Sequence, residues 1–321
     1  MNKYPIFVIS YNRQSTHTTA RQLAKFGFDC FLVVHRGQLE EYKKNLTEEE
    51  LKYITLLEFD DSYKYKYETC DNIPHRVKNA GSGAERNFAW DYSIKLGYKA
   101  HWLMDDNMHF YRIVGKRNDN YVKKIFKDIK ERDEFIEKFR SAENFFDKYE
   151  NLLMLELAEN NFCIKLKKLT YALNTRCFSC NLIYNNMPIR WRGRYNEDVI
   201  LSTDIMVSGY CIASYYAGVL KAKQSTRKAK GGNHAKDKND KQSIYDDSVN
   251  YRNSSIDKTN LLLSVYPNFY RKVIKYGRVH HEYRRENLKK IYKNLILAKK
   301  YGDKNVNKND FKKIRHYEIP K

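Results

Sequence analysis

The stretch GSGAERNFAWDYSIKLGYKAHWLMDDN, residues 81–107, decides the fold. Ala84, Phe88, Ala89, Tyr92 and Leu96 recur at helical spacing, Gly97 stops the helix, and Ala100 to Met104 form an apolar strand. That strand runs straight into Asp105, Asp106 and Asn107. Two adjacent carboxylates repel each other unless water or a cation lies between them. In an open α/β sheet, ligands bind at the carboxyl ends of the strands, so the triplet reads as a binding element.

The chain on either side continues the same alternation. PIFVIS (Pro5–Ser10), CFLVVHRG (30–37) and YITLLEF (Tyr53–Phe59) read as buried strands, and Ser15 caps an expected helix carrying Ala20, Leu23 and Ala24 on one face. Strands separated by helices predict a mainly parallel sheet with crossover helices, an α/β fold. From about Val114 to Tyr149 the charged pattern predicts an amphipathic helical segment. NLLMLELA (151–158) and CFSCNLIYNN (177–186) read as further strands, followed by a helix over Glu197–Ser208 closed by Gly209 and a strand through residues 211–220. Residues 221–255 are polar and basic and predict a long loop, and the part from 256 to 321 resumes helical periodicity with many Lys and Arg. The expected organisation is therefore a catalytic domain over 1–220, a basic active-site loop over 221–255 and a basic helical C-terminal extension over 256–321.

Composition narrows the partners. Lys and Arg number 60 against 39 acidic residues, a formal charge of +21, and a field of that sign gathers polyanions. The opening apolar run is too short for a signal-peptide core. No window approaches the roughly 18 apolar residues of a membrane span, which predicts a cytoplasmic protein. The six cysteines are scattered, as expected of reduced thiols, and the single C-x-x-C at Cys177–Cys180 has no second pair to complete a zinc site.

Three stretches in order carry a resemblance. AERNFAWDYSIKLGYKAHWLMDDN resembles the Arg-Asn, helix, strand, Asp-x-Asp segment of GT-A glycosyltransferases, YNEDVILSTDIMVSG (195–209) resembles their later Glu-Asp element, and VISYNR (Val8–Arg13) is similar to their first-strand turn. Asn107 stands where the last Asp of Asp-x-Asp is common. With the Lys-rich KAKGGNH loop (228–234), the chain is similar to the TET-associated glycosyltransferases. That group includes phage enzymes that place sugars on hydroxymethylated pyrimidines in DNA and the kinetoplastid enzyme that makes base J.

The resemblance implies a GT-A fold with a Rossmann-like sheet and a UDP-sugar donor. It places Ser10, Tyr11, Asn12, Arg13, Arg86, Asp105 and Asp106 around the nucleotide sugar. It also implies a divalent metal, Mn²⁺ or Mg²⁺, on Asp106, Asn107 and His234, with Gly231 and Gly232 letting the backbone approach. Such a cation offsets charge on a departing diphosphate. Asp198 is the expected general base, because an acceptor hydroxyl needs a carboxylate within hydrogen-bond reach, and Glu197 is its neighbour. A base facing away from the leaving diphosphate implies inversion at the anomeric carbon. DNA is the implied acceptor, with hydroxymethylcytosine first, and Lys221, Lys223, Arg227, Lys228, Lys230, Arg284 and Arg285 are expected on its phosphates. Two alternatives stay open: a cytosolic enzyme building polysaccharide or lipid-linked sugars with its basic face on anionic membrane, and a DNA-binding scaffold without catalysis.

Overall fold

Short apolar runs bounded by Gly and polar residues form the central sheet. The computed structural model describes residues 3–73, 80–118, 120–159, 171–216, 220–223, 250–275, 277–292 and 295–298. In chain order the first half holds β1 (Ile6–Ile9), α1 (Thr18–Lys25), β2 (Cys30–Val34), α2 (Leu39–Asn45), α3 (Glu48–Leu51), β3 (Ile54–Glu58), α4 (Ser62–Lys66), α5 (Gly83–Lys95), β4 (Ala100–Asp105), β5 (Met108–Arg117), β6 (Asn120–Ile125) and α6 (Arg132–Asp147). The second half holds β7 (Leu152–Leu157), β8 (Tyr171–Leu173), β9 (Cys180–Tyr184), α7 (Glu197–Val207), β10 (Cys211–Tyr215), β11 (Leu220–Lys223), α8 (Asn250–Val265), β12 (Tyr270–Lys275), β13 (Arg278–Tyr283) and α9 (Arg285–Tyr292).

Eight strands make one sheet in the order β3-β2-β1-β4-β9-β7-β10-β8. The β3-β2-β1-β4 half is parallel, and β9 then enters antiparallel between β4 and β7. Parallel strands are covered on both faces, which explains why β1 and β4 read as unbroken apolar runs. Gly97, in the left-handed region at φ +80°, ends α5 as expected and turns the chain into β4. Residue 104 pairs with residue 8 and residue 105 with residue 9, so the acidic triplet stands beside the end of β1. No described helix is long and apolar enough to cross a membrane.

An aromatic layer fixes α6 against this sheet. Phe135 and Phe139 on α6 meet Phe26 and Phe28 at ring separations of 4.6 and 5.1 Å, and Phe110 closes on both. Trp102 of β4 adds its ring to Phe139 and donates from Nε1 to Glu143 at 3.0 Å. Burial of several such side chains, each worth about 1.5–3 kcal/mol on full transfer from water, anchors the strand that carries the candidate site.

Four expectations change. The segment predicted helical from Val114 begins as β-structure: β5 and β6 form an antiparallel pair, and only residues from Arg132 coil into α6. Residues 120–125 alternate between exposed and partly buried, so their period is two. The C-terminal part is not helical throughout, because β12 and β13 pair as a hairpin turned at Gly277, which has φ +69°. α1 starts at Thr18 rather than after Ser15, with His17 at its cap position and no side-chain cap bond. Finally, β11 carries the chain past residue 220 to pair with β5, and α8 already begins at Asn250; residues 224–249 lie outside the described residues.

His101 makes the stability of this sheet pH-dependent. Its ring is buried beside Trp90 and Phe7, and Nδ1 bonds Asn185 Oδ1 at 2.6 Å. Burial lowers its pKa to about 4. Above an ordinary histidine value of about 6.5 both folded and unfolded chains carry it neutral, and between 6.5 and 4 only the unfolded chain takes up a proton. Stability should therefore fall as pH falls through that window, by about 3 kcal/mol at its lower end for this group. Urea unfolding of wild type and His101→Gln across pH 7 to 4.5 checks it; equal slopes in the two proteins would remove His101 as the cause.

Candidate active site

The site forms where β1, β2 and β4 end and α5 and α7 begin. Its backbone is set by α1: Thr19 donates from Oγ1 to the Asp105 carbonyl at 2.7 Å and from its amide to the Asp106 carbonyl at 3.2 Å, and its Oγ1 receives the Met108 amide at 2.9 Å. One threonine thus holds the acidic turn at three backbone points.

Asp105 is the last residue of β4 and Asp106 opens the turn that follows, and the two carboxylates part there. Asp105, 15% exposed, accepts from Arg86 Nη2 at 2.6 Å. The Arg86 Nε lies 3.8 Å from Glu197, which also accepts from Ser82 Oγ at 2.8 Å. Arg86 therefore ties the end of β4 to the start of α7. Its guanidinium lies 4.9 Å from the centre of the Trp191 ring. Asn87, the next residue, fixes that tryptophan by bonding both its amide and its carbonyl, at 3.0 and 2.9 Å. Burial works against the Arg86 charge, but Asp105 and then Glu197 outweigh it and its pKa is raised. Its Nη1 has no hydrogen-bond partner among the described residues.

Asp106 faces the β1 loop. It pairs with Arg13 and accepts from Ser10 Oγ at 2.6 Å, while Tyr42 joins the same cluster through Ser10 at 2.7 Å and the Arg13 amide at 3.0 Å. Burial raises the Asp106 pKa, and Arg13 opposes that shift. Beyond Ser10, Asn12 takes a left-handed conformation at φ +52° and its amide donates to Gln38 at 3.1 Å. The Tyr11 ring lies tilted against His35 at 4.5 Å, and His35 Nε2 lies 2.7 Å from Glu85 Oε1.

Asp198 lies in the first turn of α7, partly buried, and its Oδ1 accepts the Val199 amide at 2.8 Å. The turn before it is sharp: Asn196 has φ +54° and bonds the Lys258 carbonyl of α8 at 2.8 Å. A Cβ on Gly83, at the start of α5, would collide with the Tyr67 ring, whose hydroxyl bonds the Gly193 carbonyl at 2.9 Å. Only glycine lets α5 approach this closely.

The structure gathers Ser10, Arg13 and Asp106 in one cluster and Arg86, Asp105 and Glu197 in another at the same strand end, with Tyr11, Asn12, Asn107 and Asp198 adjoining them in the chain. His234, Arg227, Lys228 and Lys230 lie outside the described residues. Lys221 and Lys223 sit on β11 opposite Phe110 and Met108. Arg284 is exposed beyond β13, where its Nε bonds the Tyr270 carbonyl at 3.1 Å, and Arg285 opens α9. Thr19, Tyr42, Ser82, His35 and Glu85 were not anticipated. Glu85 directly precedes Arg86, but its pairing with His35 depends on the end of β2 meeting α5 in space.

The donor set separates the expected metal ligands. Asp106 would reach a cation only by sharing oxygens that Arg13 and Ser10 already hold. Asp105 suits a hard cation, a rim carboxylate at a strand end. Asn107 is buried with both amide atoms lacking a partner among the described residues, the kind of orphaned oxygen that a cation would satisfy. Among the described residues no three His, Cys, Asp or Glu side chains form a metal cluster, so phosphate oxygens and water would complete any coordination.

A family model for the TET-associated glycosyltransferases matches residues 4–232. The chain belongs to that family. The match covers every element from β1 to β11 and contains Asp105, Arg86 and Glu197. Helix α8, the β12–β13 hairpin and α9 follow the matched region. Among curated proteins none matches the chain.

Proposed function

We propose that this TET-associated glycosyltransferase transfers a sugar from a UDP-sugar to the hydroxyl of a 5-hydroxymethylpyrimidine in DNA, hydroxymethylcytosine first, in the cytoplasm. The observation that carries the reading is the Arg86 bridge, which sets a strand-end carboxylate and the Glu197–Asp198 pair on either side of one cationic group, in a chain of this family. The charge of +21 supports a polyanionic acceptor. The proposed organisation keeps residues 1–220 as the catalytic domain, to which β11 adds, and the part from α8 onward as an acceptor-side extension.

In this reading the β1 loop, held by the Asp106–Arg13–Ser10 cluster, presents Tyr11 and Asn12 to the nucleoside. Arg86 uses its remaining N–H group on a phosphate oxygen, which stabilises negative charge as the sugar–phosphate bond lengthens. A divalent cation held by Asp105 and Asn107 would add Lewis-acid stabilisation of the diphosphate. Asp198 takes the proton of the acceptor hydroxyl while its oxygen bonds the anomeric carbon, and the electron pair of the breaking bond leaves with the diphosphate. Attack from the face opposite the leaving group inverts the anomeric centre.

The test offers UDP-glucose, UDP-galactose and a UDP-pentose, with Mn²⁺ or Mg²⁺, to duplexes containing cytosine, hydroxymethylcytosine or hydroxymethyluracil and reads the nucleoside mass. A hexose or pentose gained only on a hydroxymethylated base is the expected result. Slow donor hydrolysis with no mass gained on any duplex would overturn DNA as the acceptor and move the polysaccharide reading forward.

A further inference from the structure

The β12–β13 hairpin has a buried root and a cationic outer end that carries an exposed isoleucine. At the root Tyr270 is fully buried, its ring lies tilted against Tyr283 at 4.9 Å, and its hydroxyl bonds Thr203 of α7 at 2.7 Å. The Arg176 guanidinium lies 4.8 Å from the centre of the Tyr283 ring. Towards the tip Ile274 is 77% exposed, and a Cβ on Gly277 would have nothing within 4 Å. Four cations, Arg271, Lys272, Lys275 and Arg278, stand on these strands against one acid, Glu282, which Arg271 and Lys275 share.

The hairpin is also fixed relative to the candidate base. On α8, Ser255 donates to the Val279 carbonyl of β13 at 2.8 Å, and one turn on, the Lys258 carbonyl receives Asn196, two residues before Asp198. Three helical residues rise about 4.5 Å, so α8 clamps the ribbon and the start of α7 within a single turn. A surface ribbon serving only solubility needs neither an isoleucine at its tip nor this double attachment.

Resting on the DNA-acceptor reading, we infer that the β12–β13 hairpin is a ribbon that enters the major groove of the acceptor duplex beside the target nucleotide, with Lys275 and Arg278 on backbone phosphates and Ile274 against base edges. Two strands spaced about 5 Å apart fit a groove about 12 Å wide. That groove also displays the C5 substituent of a pyrimidine, so the ribbon and the acceptor hydroxyl share one side of the duplex. Phosphate contacts from the cations set affinity and register, and the apolar contact at Ile274 is independent of salt.

The experiment compares wild type, Lys275→Ser/Arg278→Ser and Ile274→Ser, each checked for an unchanged Tm, in fluorescence-anisotropy binding to a hydroxymethylcytosine duplex between 50 and 200 mM salt. The double variant should bind about tenfold more weakly, with a log–log salt slope lower by about 2. Ile274→Ser should bind severalfold more weakly with the slope unchanged. A duplex carrying 5-iodouracil next to the target base should photocrosslink within residues 270–283. If wild type binds and glycosylates the duplex but both variants match it, or the crosslinks fall elsewhere, the hairpin is not the grip. If wild type hydrolyses a UDP-sugar yet binds no duplex, the acceptor reading fails and takes the hairpin's role with it.

Discussion

Asp198→Asn should slow sugar transfer by about 10²–10⁴-fold, the usual contribution of a positioned general base, while the folded protein persists. The amide keeps the size of the side chain and an oxygen for the Val199 amide, so the turn into α7 is preserved. What disappears is the ability to take a proton. Glu197 cannot easily substitute, because Ser82 and Arg86 hold its carboxylate and its loss would loosen the bridge to Asp105. Single-turnover transfer, measured on Asp198→Asn and Glu197→Gln with matched unfolding curves, separates the two. A nearly unchanged rate in Asp198→Asn, together with an abolished rate in a stable Glu197→Gln, would move the base to Glu197.

Arg86→Met should cost about 3–5 kcal/mol of stability, the typical penalty for removing one partner of a buried ion pair. Methionine fills much of the volume over Trp191 but leaves Asp105 and Glu197, which are 15% and 14% exposed, facing each other without their shared cation. Arg86→Lys should recover only part of the loss, since an ammonium lacks the planar fork that reaches two carboxylates. Urea denaturation gives the stability and calorimetric UDP titration gives the donor affinity, and both should fall in Arg86→Met. A stability change under about 1 kcal/mol would show that water relieves the two carboxylates and that the bridge is not structural.

The architecture is legible in the chain because its signals are local. Residues 81–107 announce a helix, a glycine stop, a buried strand and an acidic end without reference to anything distant. Glu197 and Asp198 likewise open a helix where the pattern places one. The failures came where charged side chains masked a period of two: at β6, and at the hairpin, where Tyr270, Lys272 and Ile274 share a face. A lysine-rich strand can be recognised as one only when the partner strand that takes its backbone hydrogen bonds is known.

By itself, then, the sequence determined an α/β sheet with carboxylates at its ligand-binding edge and an excess of positive charge. Tertiary structure alone decided how those carboxylates divide, Asp105 to Arg86 and Asp106 to Arg13 and Ser10. It also decided that α8 joins a cationic ribbon to the turn before Asp198. The physical reason is that the chain leaves its strand between the two residues, so neighbours in sequence point different ways and are sorted by whichever distant segments the packing of the sheet brings to each side.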